Sequence, residues 1–398
     1  MKKFNTMLLT AVMVSSLTAC GSVSNNSSTA GNAVDEIVSS NSESEVFDNE
    51  ASGNEASESE SSDRSSEAEK PETITVTCLN GAGETVQVEV PYDPQRIAVV
   101  DMAMLDIIDN LGLGDRVVGS STTALDYLQS YVTDDSIANL GSIKEADMEA
   151  LMECEPEIIF MGGRMSDSYD AFCEIAPVIR LTADTDLGVL ESTHKNAGTI
   201  ASIFGKEDEV DAKFADFDDR IAALREVAAG KTAVVGMCTS GSFNVVGDSG
   251  RCSVIGVEVG FENLCNDISS SGNSGGHGSS DGNGKGNRES SDSESSGKES
   301  RSGSNSSNHG TESSFELLVS LAPDYIFVMD RDAAIGTNGA QLAKEVMENE
   351  LVMSTDAYKN GNLVILEHPG IWYTAEGGIT SFGIMLSDLE SALALGEE

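Results

Sequence analysis

The chain contains the segment Asp147-Met-Glu-Ala-Leu-Met-Glu-Cys-Glu-Pro-Glu-Ile-Ile-Phe-Met-Gly-Gly-Arg164 and contains it again, in altered form, as Ser314-Phe-Glu-Leu-Leu-Val-Ser-Leu-Ala-Pro-Asp-Tyr-Ile-Phe-Val-Met-Asp-Arg331. The two copies align without a gap, because identical residues recur at an offset of 167, among them Glu149 and Glu316, Pro156 and Pro323, and Arg164 and Arg331. Each copy predicts a short amphipathic helix that ends at proline, an apolar strand, and an arginine where that strand ends. The duplication therefore predicts two similar lobes, each of which presents an arginine.

Strands and helices alternate around both copies. Ile97-Ala-Val-Val100 is an apolar run that predicts a buried strand, helical spacing follows as far as Leu111, and Val117-Val-Gly119 predicts the next strand. Thr232-Ala-Val-Val-Gly236 opens the second lobe in the same way. Strand, helix and strand in this order predict a parallel sheet with right-handed crossovers. The sequence therefore predicts an α/β fold with two lobes and mainly parallel sheets.

The predicted elements also set the domain boundaries. We expect an N-terminal lobe over residues 73–190, which begins with a β-hairpin, then connecting helices over 191–230 and a C-terminal lobe over 231–398. Two connecting helices are expected, at 191–204 and at 208–229. At 1.5 Å per residue, the second would be about 30 Å long, enough to cross a small domain.

Three segments are predicted to lie outside the lobes. Residues 1–20 begin with a basic region, continue with a short apolar run, and end at Leu17-Thr-Ala-Cys20, which resembles the lipobox of bacterial lipoproteins; they predict a signal peptide whose cleavage leaves Cys20 to receive lipid. Residues 21–72 are rich in Ser, Asn and Glu and predict a disordered acidic tether. Residues 267–308 are rich in Ser and Gly and predict a disordered insertion in the C-terminal lobe.

Composition and missing motifs argue against several functions. The formal net charge is −44 and no basic region appears, so nucleic-acid binding is not expected. The sequence has no nucleophile elbow, Walker loop or Gly-x-Gly-x-x-Gly motif after the first strand, and no His-Glu-x-x-His motif, so an enzyme is not expected. The six cysteines other than Cys20 have no metal-site spacing, and they are compatible with buried thiols or with disulfides.

The duplicated arginines predict a cleft for an anionic ligand. Ligands of open α/β sheets bind beyond the carboxyl ends of the strands, where Arg164 and Arg331 are expected. Arg251, which ends a glycine-rich turn, is a third candidate. Guanidinium groups hold anions by planar, charge-assisted hydrogen bonds. The alternative is that each arginine only pairs with a neighbouring carboxylate such as Asp167 or Asp332.

A further set of features has a recognisable order, namely the lipobox, the tether, Ile97-Ala-Val-Val100, Gly-Gly-Arg164, the connecting helix, His309-Gly310, Ser314-Phe-Glu-Leu-Leu318, Asp330-Arg331 and Trp372-Tyr373. This order resembles that of the iron–siderophore substrate-binding lipoproteins of ABC importers, and within them the group that takes catecholate-type complexes. The resemblance runs from about Pro94 to Leu395. It implies two Rossmann-like lobes joined by a long rigid helix, a shallow ligand cleft between the lobes, and little hinge motion.

The resemblance also implies roles for individual residues. The expected ligand-binding residues are Arg164, Arg251, Arg331 and Trp372. His309 and Tyr373 match side chains that occupy iron positions left open by a tetradentate siderophore, and phenolate and imidazole are both suitable ligands for iron. His277, which also precedes a glycine, is the alternative to His309.

Glu149 and Glu316 match paired glutamates that dock such proteins onto arginines of the permease. The alternative for either residue alone is a favourable interaction with the helix dipole, because an acidic side chain near a helix N-terminus is stabilising. Their equivalent positions in the two copies favour docking.

These expectations define a lipid-anchored monomer on the extracytoplasmic face of the bacterial cell membrane. It would capture a ferric siderophore and deliver it to an ABC permease and its ATPase, with no intrinsic cofactor. A haem- or corrinoid-binding protein of the same fold is the first alternative. A zinc or manganese importer component is the second, and it is disfavoured because such sites need several His and carboxylate ligands, whereas the residues expected to face the cleft are arginines.

Overall fold

The computed structural model describes residues 71–184, 186–266 and 309–395. The predicted signal peptide with Cys20, the tether and the insertion with His277 lie outside these residues. Within them, no helix is both long and apolar enough to cross a membrane.

The first sheet has seven strands in the order β2-β1-β9-β8-β3-β4-β5. The five strands from β9 to β5 are parallel, whereas β1 runs antiparallel to both β2 and β9. The hairpin β1–β2 confirms the hairpin predicted at the start of the lobe. The strands are β1 (Thr73–Leu79), β2 (Thr85–Pro91), β3 (Ile97–Val99), β4 (Val117–Ser120), β5 (Ala138–Asn139), β8 (Ile158–Met161) and β9 (Val178–Arg180), and a separate two-stranded sheet comprises β6 (Gly141–Ser142) and β7 (Glu145–Ala146).

The second sheet has five strands. Its main order is β11-β10-β13-β14, and β12 also pairs with β10. The strands β10, β12, β13 and β14 are parallel, and β11 is antiparallel to β10. The mainly parallel sheets predicted for both lobes are therefore confirmed. The strands are β10 (Thr232–Thr239), β11 (Ser242–Val245), β12 (Glu262–Asn263), β13 (Tyr325–Asp330) and β14 (Leu363–Ile365).

Helices cover and connect the two sheets. Both sheets have strands that are buried along their length, as β8 and β13 show, because helices pack on them. The helices are α1 (Met102–Asn110), α2 (Ser130–Thr133), α3 (Met148–Glu153), α4 (Tyr169–Cys173), α5 (Val189–Phe204), α6 (Val210–Phe214), α7 (Phe217–Ala228), α8 (His309–Leu321), α9 (Arg331–Ala334), α10 (Ala343–Met347), α11 (Glu350–Ser354), α12 (Asp356–Lys359), α13 (Pro369–Thr374) and α14 (Ile379–Ala392).

The duplicated segment folds into the same order of elements in both copies, although α8 is longer than α3. Each copy is a helix followed by a strand, α3–β8 in the first and α8–β13 in the second. The carboxylate after each proline accepts a backbone N–H at the start of the neighbouring strand: Glu157 accepts from Arg96 at 3.1 Å, and Asp324 accepts from Thr232 at 3.0 Å. The repeat therefore describes one helix–strand unit used in both sheets.

One prediction about the connection between the sheets is wrong. The helix expected at 208–229 is two helices, α6 and α7, with a break at Ala215 and Asp216. Phe214 and Phe217 are both buried on either side of the break, and their rings meet edge to face with centroids 5.7 Å apart. The apolar spacing thus continues through the break, which is why the sequence pattern did not reveal it.

The end of the chain returns to the first sheet. Asp106, in α1, is buried and accepts backbone N–H groups from Ile379, Thr380 and Ser381 at 2.8–2.9 Å. These three residues form the first turn of α14, whose N–H groups have no partner within the helix. The carboxylate therefore fastens α14 to α1, and the connecting helices are not the only link between the two halves of the fold.

Candidate functional site

Tyr373 lies at the centre of three arginines. The guanidinium carbons of Arg251, Arg331 and Arg164 are 4.4, 5.5 and 5.7 Å from the centre of its ring. The three arginines come from three separate parts of the chain, two loops and the first residue of α9, and the fold brings them together around α13, which carries Tyr373. A cation above an aromatic face is attracted by the ring, so the tyrosine stabilises this concentration of positive charge.

Arg331 reaches the tyrosine from the second sheet. It is the first residue of α9, directly after β13, as the repeat predicted. Its Nε donates to the hydroxyl of Tyr373 at 3.1 Å, and one terminal nitrogen donates to the hydroxyl of Thr239 at 3.2 Å. Its neighbour Asp332 lies 3.5 Å away. These contacts hold the guanidinium group in place at the carboxyl end of β13.

Arg164 reaches the same tyrosine from the first sheet. It follows the end of β8 by three residues, and one of its terminal nitrogens donates to the backbone carbonyl of Tyr373. Its carboxylate partner is Asp101, at 3.8 Å, and not Asp167, the neighbour proposed from the sequence. A side chain at position 162 would collide with the Asp101 carboxylate, because a Cβ built on Gly162 would overlap its Oδ2 atom. Glycine at this position therefore permits the contact between Asp101 and Arg164.

Asp101 is a buried residue with two roles. One of its oxygens accepts the backbone N–H groups of Ala103 and Met104, at 3.0 and 3.3 Å, and so caps α1. Burial raises its pKa, although the charge of Arg164 and these N–H groups oppose the change. The carboxylate fixes the start of α1 and lies beside the arginine cluster.

Arg251 lies over the ring face of Tyr373, beside a second acidic residue. Glu376 accepts the backbone N–H of Cys252 at 3.0 Å, and Cys252 has a left-handed backbone with φ of 65°. Burial raises the pKa of Glu376 to about 7, although the charge of Arg251 acts in the opposite direction. The loop that carries Arg251 is thereby fastened to the turn that follows α13.

A cavity of about 380 Å³ opens beside these groups and is lined by Asp101, Arg164, Arg251 and Glu376. A larger cavity of about 830 Å³ lies between the two halves of the fold, where Lys144 and Thr123 face Ala333 and Thr374. Both volumes fall in the usual range for small-molecule sites. The side chains of Arg164 and Arg331 remain 21% and 25% exposed, so a ligand can reach them.

The cluster also changes the acidity of the tyrosine. Burial alone would raise the pKa of Tyr373, but the hydrogen bond from Arg331 and the charges of Arg251, Arg331 and Lys144 outweigh it, so the pKa lies below its ordinary value. A phenol with a lowered pKa gives up its proton to solvent more readily, and the resulting phenolate oxygen binds a hard cation. The phenol is therefore chemically suited to be a ligand for ferric iron.

The structure contradicts the prediction of a direct ligand contact for Trp372. Its side chain is fully buried, and its indole N–H donates to Asp388 at 2.8 Å. Adjacent residues of a helix point in directions about 100° apart, so the contact of Tyr373 with the cluster directs Trp372 into the core. Trp372 therefore anchors α13 against α14 and does not line the cleft.

Two histidines, His309 and His368, are candidates for binding a metal. His309 is the first residue of α8, and its side chain lies outside the described part of the structure. Among the described residues, one group has the spacing of a metal site, namely Glu367, His368 and Asp388. Both oxygens of Asp388 already accept hydrogen bonds, one from Trp372 and the other in a 2.6 Å contact with His368. This group is not part of the arginine cluster.

Glu149 and Glu316 occupy equivalent exposed positions on α3 and α8. Asp147 caps α3 through the N–H groups of Glu149 and Ala150 at 3.1 and 3.0 Å, so the Glu149 side chain is not needed as the cap. This arrangement leaves the Glu149 carboxylate at the protein surface.

Sequence reasoning missed three charged residues of the site. Asp101 directly follows the apolar run of β3, so its position at the strand's carboxyl end was a usable signal. Glu376 and Lys144 lie in loops without a motif, and nothing in the sequence pattern indicated them.

The fold and the site together define a class of protein. Two mainly parallel sheets each have a helix–strand unit that ends near an arginine, and three cationic side chains converge on one tyrosine beside a cavity. This is the architecture of a two-lobed substrate-binding protein.

Comparisons with known proteins identify the family. A family model described as "Periplasmic binding protein" matches residues 97–276. The petrobactin-binding protein YclQ of Bacillus subtilis is 32% identical over 307 residues, which is 77% of this chain and 84% of that protein. The chain therefore belongs to the periplasmic binding protein family, whose members bind and deliver transported substrates and are not enzymes.

Solved structures agree with this assignment. The crystal structure of YclQ matches with a TM-score of 0.64 and 30% identity, covering 82% of this chain and all of that one. The periplasmic catecholate-siderophore binding protein VctP of Vibrio cholerae matches with a TM-score of 0.62 and 28% identity, covering 80% of this chain and all of that one. A second relative found by sequence, the ferric-anguibactin-binding protein FatB of Vibrio anguillarum, is 22% identical over 332 residues, 81% of this chain and 89% of that protein. The fold class predicted from the sequence is confirmed.

Proposed function

We propose that this protein is the extracytoplasmic substrate-binding component of an ABC importer, and that it captures an anionic ferric siderophore of the catecholate type. The observation that carries the proposal is the convergence of Arg164, Arg251 and Arg331 on Tyr373, beside a cavity that Arg164 and Arg251 line. Such a cluster suits a ligand with several negative oxygens. The relatives YclQ, VctP and FatB, each of which is named for a siderophore, support it.

The iron of the bound complex would be held mainly by the siderophore. We assign Tyr373 to an iron position left open by a tetradentate siderophore. Its arginine partners lower its pKa, although its burial acts in the opposite direction. His309 is the second residue assigned to such a position. Because the iron arrives and leaves with the siderophore, it is cargo, and the protein needs no cofactor of its own.

Delivery would place the protein at the membrane. We assign Glu149 and Glu316 to docking on the permease, which works with its ATPase, and Cys20 to the lipid anchor of a monomeric protein. The equivalent exposure of the two glutamates supports the first assignment. For the second, a Cys20→Ala variant should appear in the soluble fraction of the producing cells; retention in the membrane fraction would reject it.

A fluorescence titration of the purified full-length chain tests the ligand. Trp372 is the only tryptophan, and it adjoins Tyr373, so a coloured ligand in the cleft should quench its emission. We expect submicromolar quenching by ferric catecholates and much weaker binding of uncharged ferric hydroxamates. Quenching by haem or cobalamin alone would reject the siderophore assignment and identify haem or a corrinoid as the ligand. Saturable binding of Zn²⁺ or Mn²⁺ without any response to ferric complexes would indicate a metal importer component.

A further inference from the structure

The helices of the two repeat copies match in exposure as well as in sequence. In α3, Glu149 is exposed, Leu151 is buried, and Met152 is exposed. The equivalent residues of α8 follow the same order, with Glu316 exposed, Leu318 buried and Val319 exposed. Each helix therefore packs on its own sheet through a leucine and presents a glutamate and an apolar residue to solvent.

The exposure of the two apolar residues is large. Met152 is 55% exposed and Val319 is 42% exposed. A single apolar residue on a surface is ordinary, because apolar atoms make up more than half of a typical protein surface. Of the ten exposed large apolar side chains in the described ranges, however, only Met152 and Val319 occupy equivalent positions in the repeat.

Each apolar residue lies beside its glutamate. The two are three residues apart in a helix, and residues at this spacing are neighbours on the helix surface. Glu149 with Met152, and Glu316 with Val319, thus form two surfaces of the same composition, which we call the acid–apolar patches. Neither glutamate has an ion-pair partner among the described residues.

We propose that the acid–apolar patches are the two halves of one docking surface, in which each glutamate meets a basic side chain of the permease and Met152 and Val319 each enter an apolar hollow beside it. The inference rests on the proposed function and adds the apolar half of the contact. Because one patch lies on each copy of the repeat, the surface fits a partner that presents the same basic and apolar features twice.

The division of work between the two kinds of residue follows from their energetics. Ion pairs at an exposed rim contribute little affinity, and they mainly guide encounter and fix orientation. Removal of apolar surface from water is the dominant favourable contribution to most protein–protein association. Met152 and Val319 are thus expected to hold the docked complex, whereas Glu149 and Glu316 align it. A flexible methionine also adapts to an irregular hollow.

Paired measurements of uptake and binding test the inference. Cells would carry the full chain as wild type, as the double variant Met152→Ser/Val319→Ser, or as the double variant Met152→Glu/Val319→Glu. Uptake is followed with a radioactive ferric catecholate, and the affinity of each purified protein for the same complex is followed by Trp372 fluorescence. The matched control is Val257→Ser/Leu342→Ser, which alters side chains that are 44% and 45% exposed but lie outside the repeat.

The serine pair should reduce uptake about tenfold or more, while the affinity for the ferric complex and the thermal unfolding remain as in the wild type. The glutamate pair should reduce uptake further, although it adds charge that would attract a basic partner. Unchanged uptake in the serine pair, increased uptake in the glutamate pair, or an equal loss in the control would overturn the inference. A wild-type protein that does not bind the ferric complex would instead overturn the proposed function.

Discussion

The two copies of the repeat are alike in the exposed residues of their helices and different at their strand ends. Glu149 and Glu316 occupy matching exposed positions on α3 and α8. At the other end, Arg331 directly follows β13 and donates to the hydroxyl of Tyr373, whereas Arg164 lies three residues beyond β8 and donates to the carbonyl of the same residue. The scaffold is therefore duplicated on the side assigned to the permease, and it has diverged on the side assigned to the ligand.

This difference shows what each surface must recognise. A docking surface on two similar lobes works with two similar glutamates, because each meets an equivalent part of its partner. The cleft encloses one ligand that has no reason to be symmetric, so the two arginines approach one tyrosine through different atoms. The third arginine, Arg251, lies outside the repeat and has no counterpart in the other half of the fold, which makes the cleft still more asymmetric.

Removing the arginines should have the largest effect. Arg164→Ala/Arg331→Ala should weaken binding of a ferric catecholate about 100-fold or more, because each charge-assisted hydrogen bond contributes about 1.5–3 kcal/mol. Arg331→Ala should cost more than Arg164→Ala, since it also frees the hydroxyl of Tyr373. Fluorescence titration of each variant measures the difference.

The matched control is Arg116→Ala. The side chain of Arg116 is 26% exposed, close to the 25% of Arg331. It forms an ion pair with Asp93 at a distance of 2.6 Å, and this pair is not part of the arginine cluster. Its loss should leave the affinity unchanged. Equal losses of affinity in Arg164→Ala and Arg331→Ala would show that the two arginines contribute equally to ligand binding. An unchanged affinity in the double variant would contradict the assignment of these arginines to ligand binding.

Tyr373→Phe should have an intermediate effect. The change keeps the ring that the arginines surround and removes the hydroxyl, so affinity for a tetradentate ferric siderophore should fall about tenfold, the cost of one good hydrogen bond or ligand contact. It should also abolish the visible absorption of an iron–phenolate bond.

Hexadentate ferric siderophores give the control for Tyr373→Phe, because they leave no iron position open and should bind the variant almost as well as the wild type. If the absorption spectrum of the tetradentate complex is the same in both proteins, Tyr373 is a support for the arginines and does not ligate the iron.

The sequence predicted the scaffold of this site better than its interior. Apolar periodicity and the 167-residue offset were sufficient for the parallel sheets and for Arg164 and Arg331, because both follow from local chain pattern. Burial of Trp372 depends on how the short helix α13 is rotated, and a six-residue helix contains too little pattern to fix its rotation. The position of Glu376 depends on tertiary packing between two loops, which leaves no local signal at all.

Glu376 should give the smallest effect, a pH dependence of folding. Its pKa is about 7 in the folded protein against an ordinary value of 4.5, so the folded state keeps a proton that the unfolded state has already lost. This contribution to stability is fully present below pH 4.5 and is lost as the pH rises through 7. A tenfold change in a proton-binding constant corresponds to about 1.4 kcal/mol, but the residue is partly exposed and solvent screens its charge, so we expect a fall of about 1 kcal/mol between pH 5 and pH 8.

Urea unfolding of the wild type and of Glu376→Gln at several pH values measures this contribution of Glu376. The comparison must be a difference, because a chain with a formal net charge of −44 has many other carboxylates whose titration changes its stability. The stability of the wild type relative to the variant should decrease from pH 5 to pH 8. If the stabilities of the two proteins change with pH in parallel, Glu376 is ionised beside Arg251 over the whole range from pH 5 to pH 8. In that case its charge would offset one arginine, and the difference between the two repeat copies would rest on Arg164 and Arg331 alone.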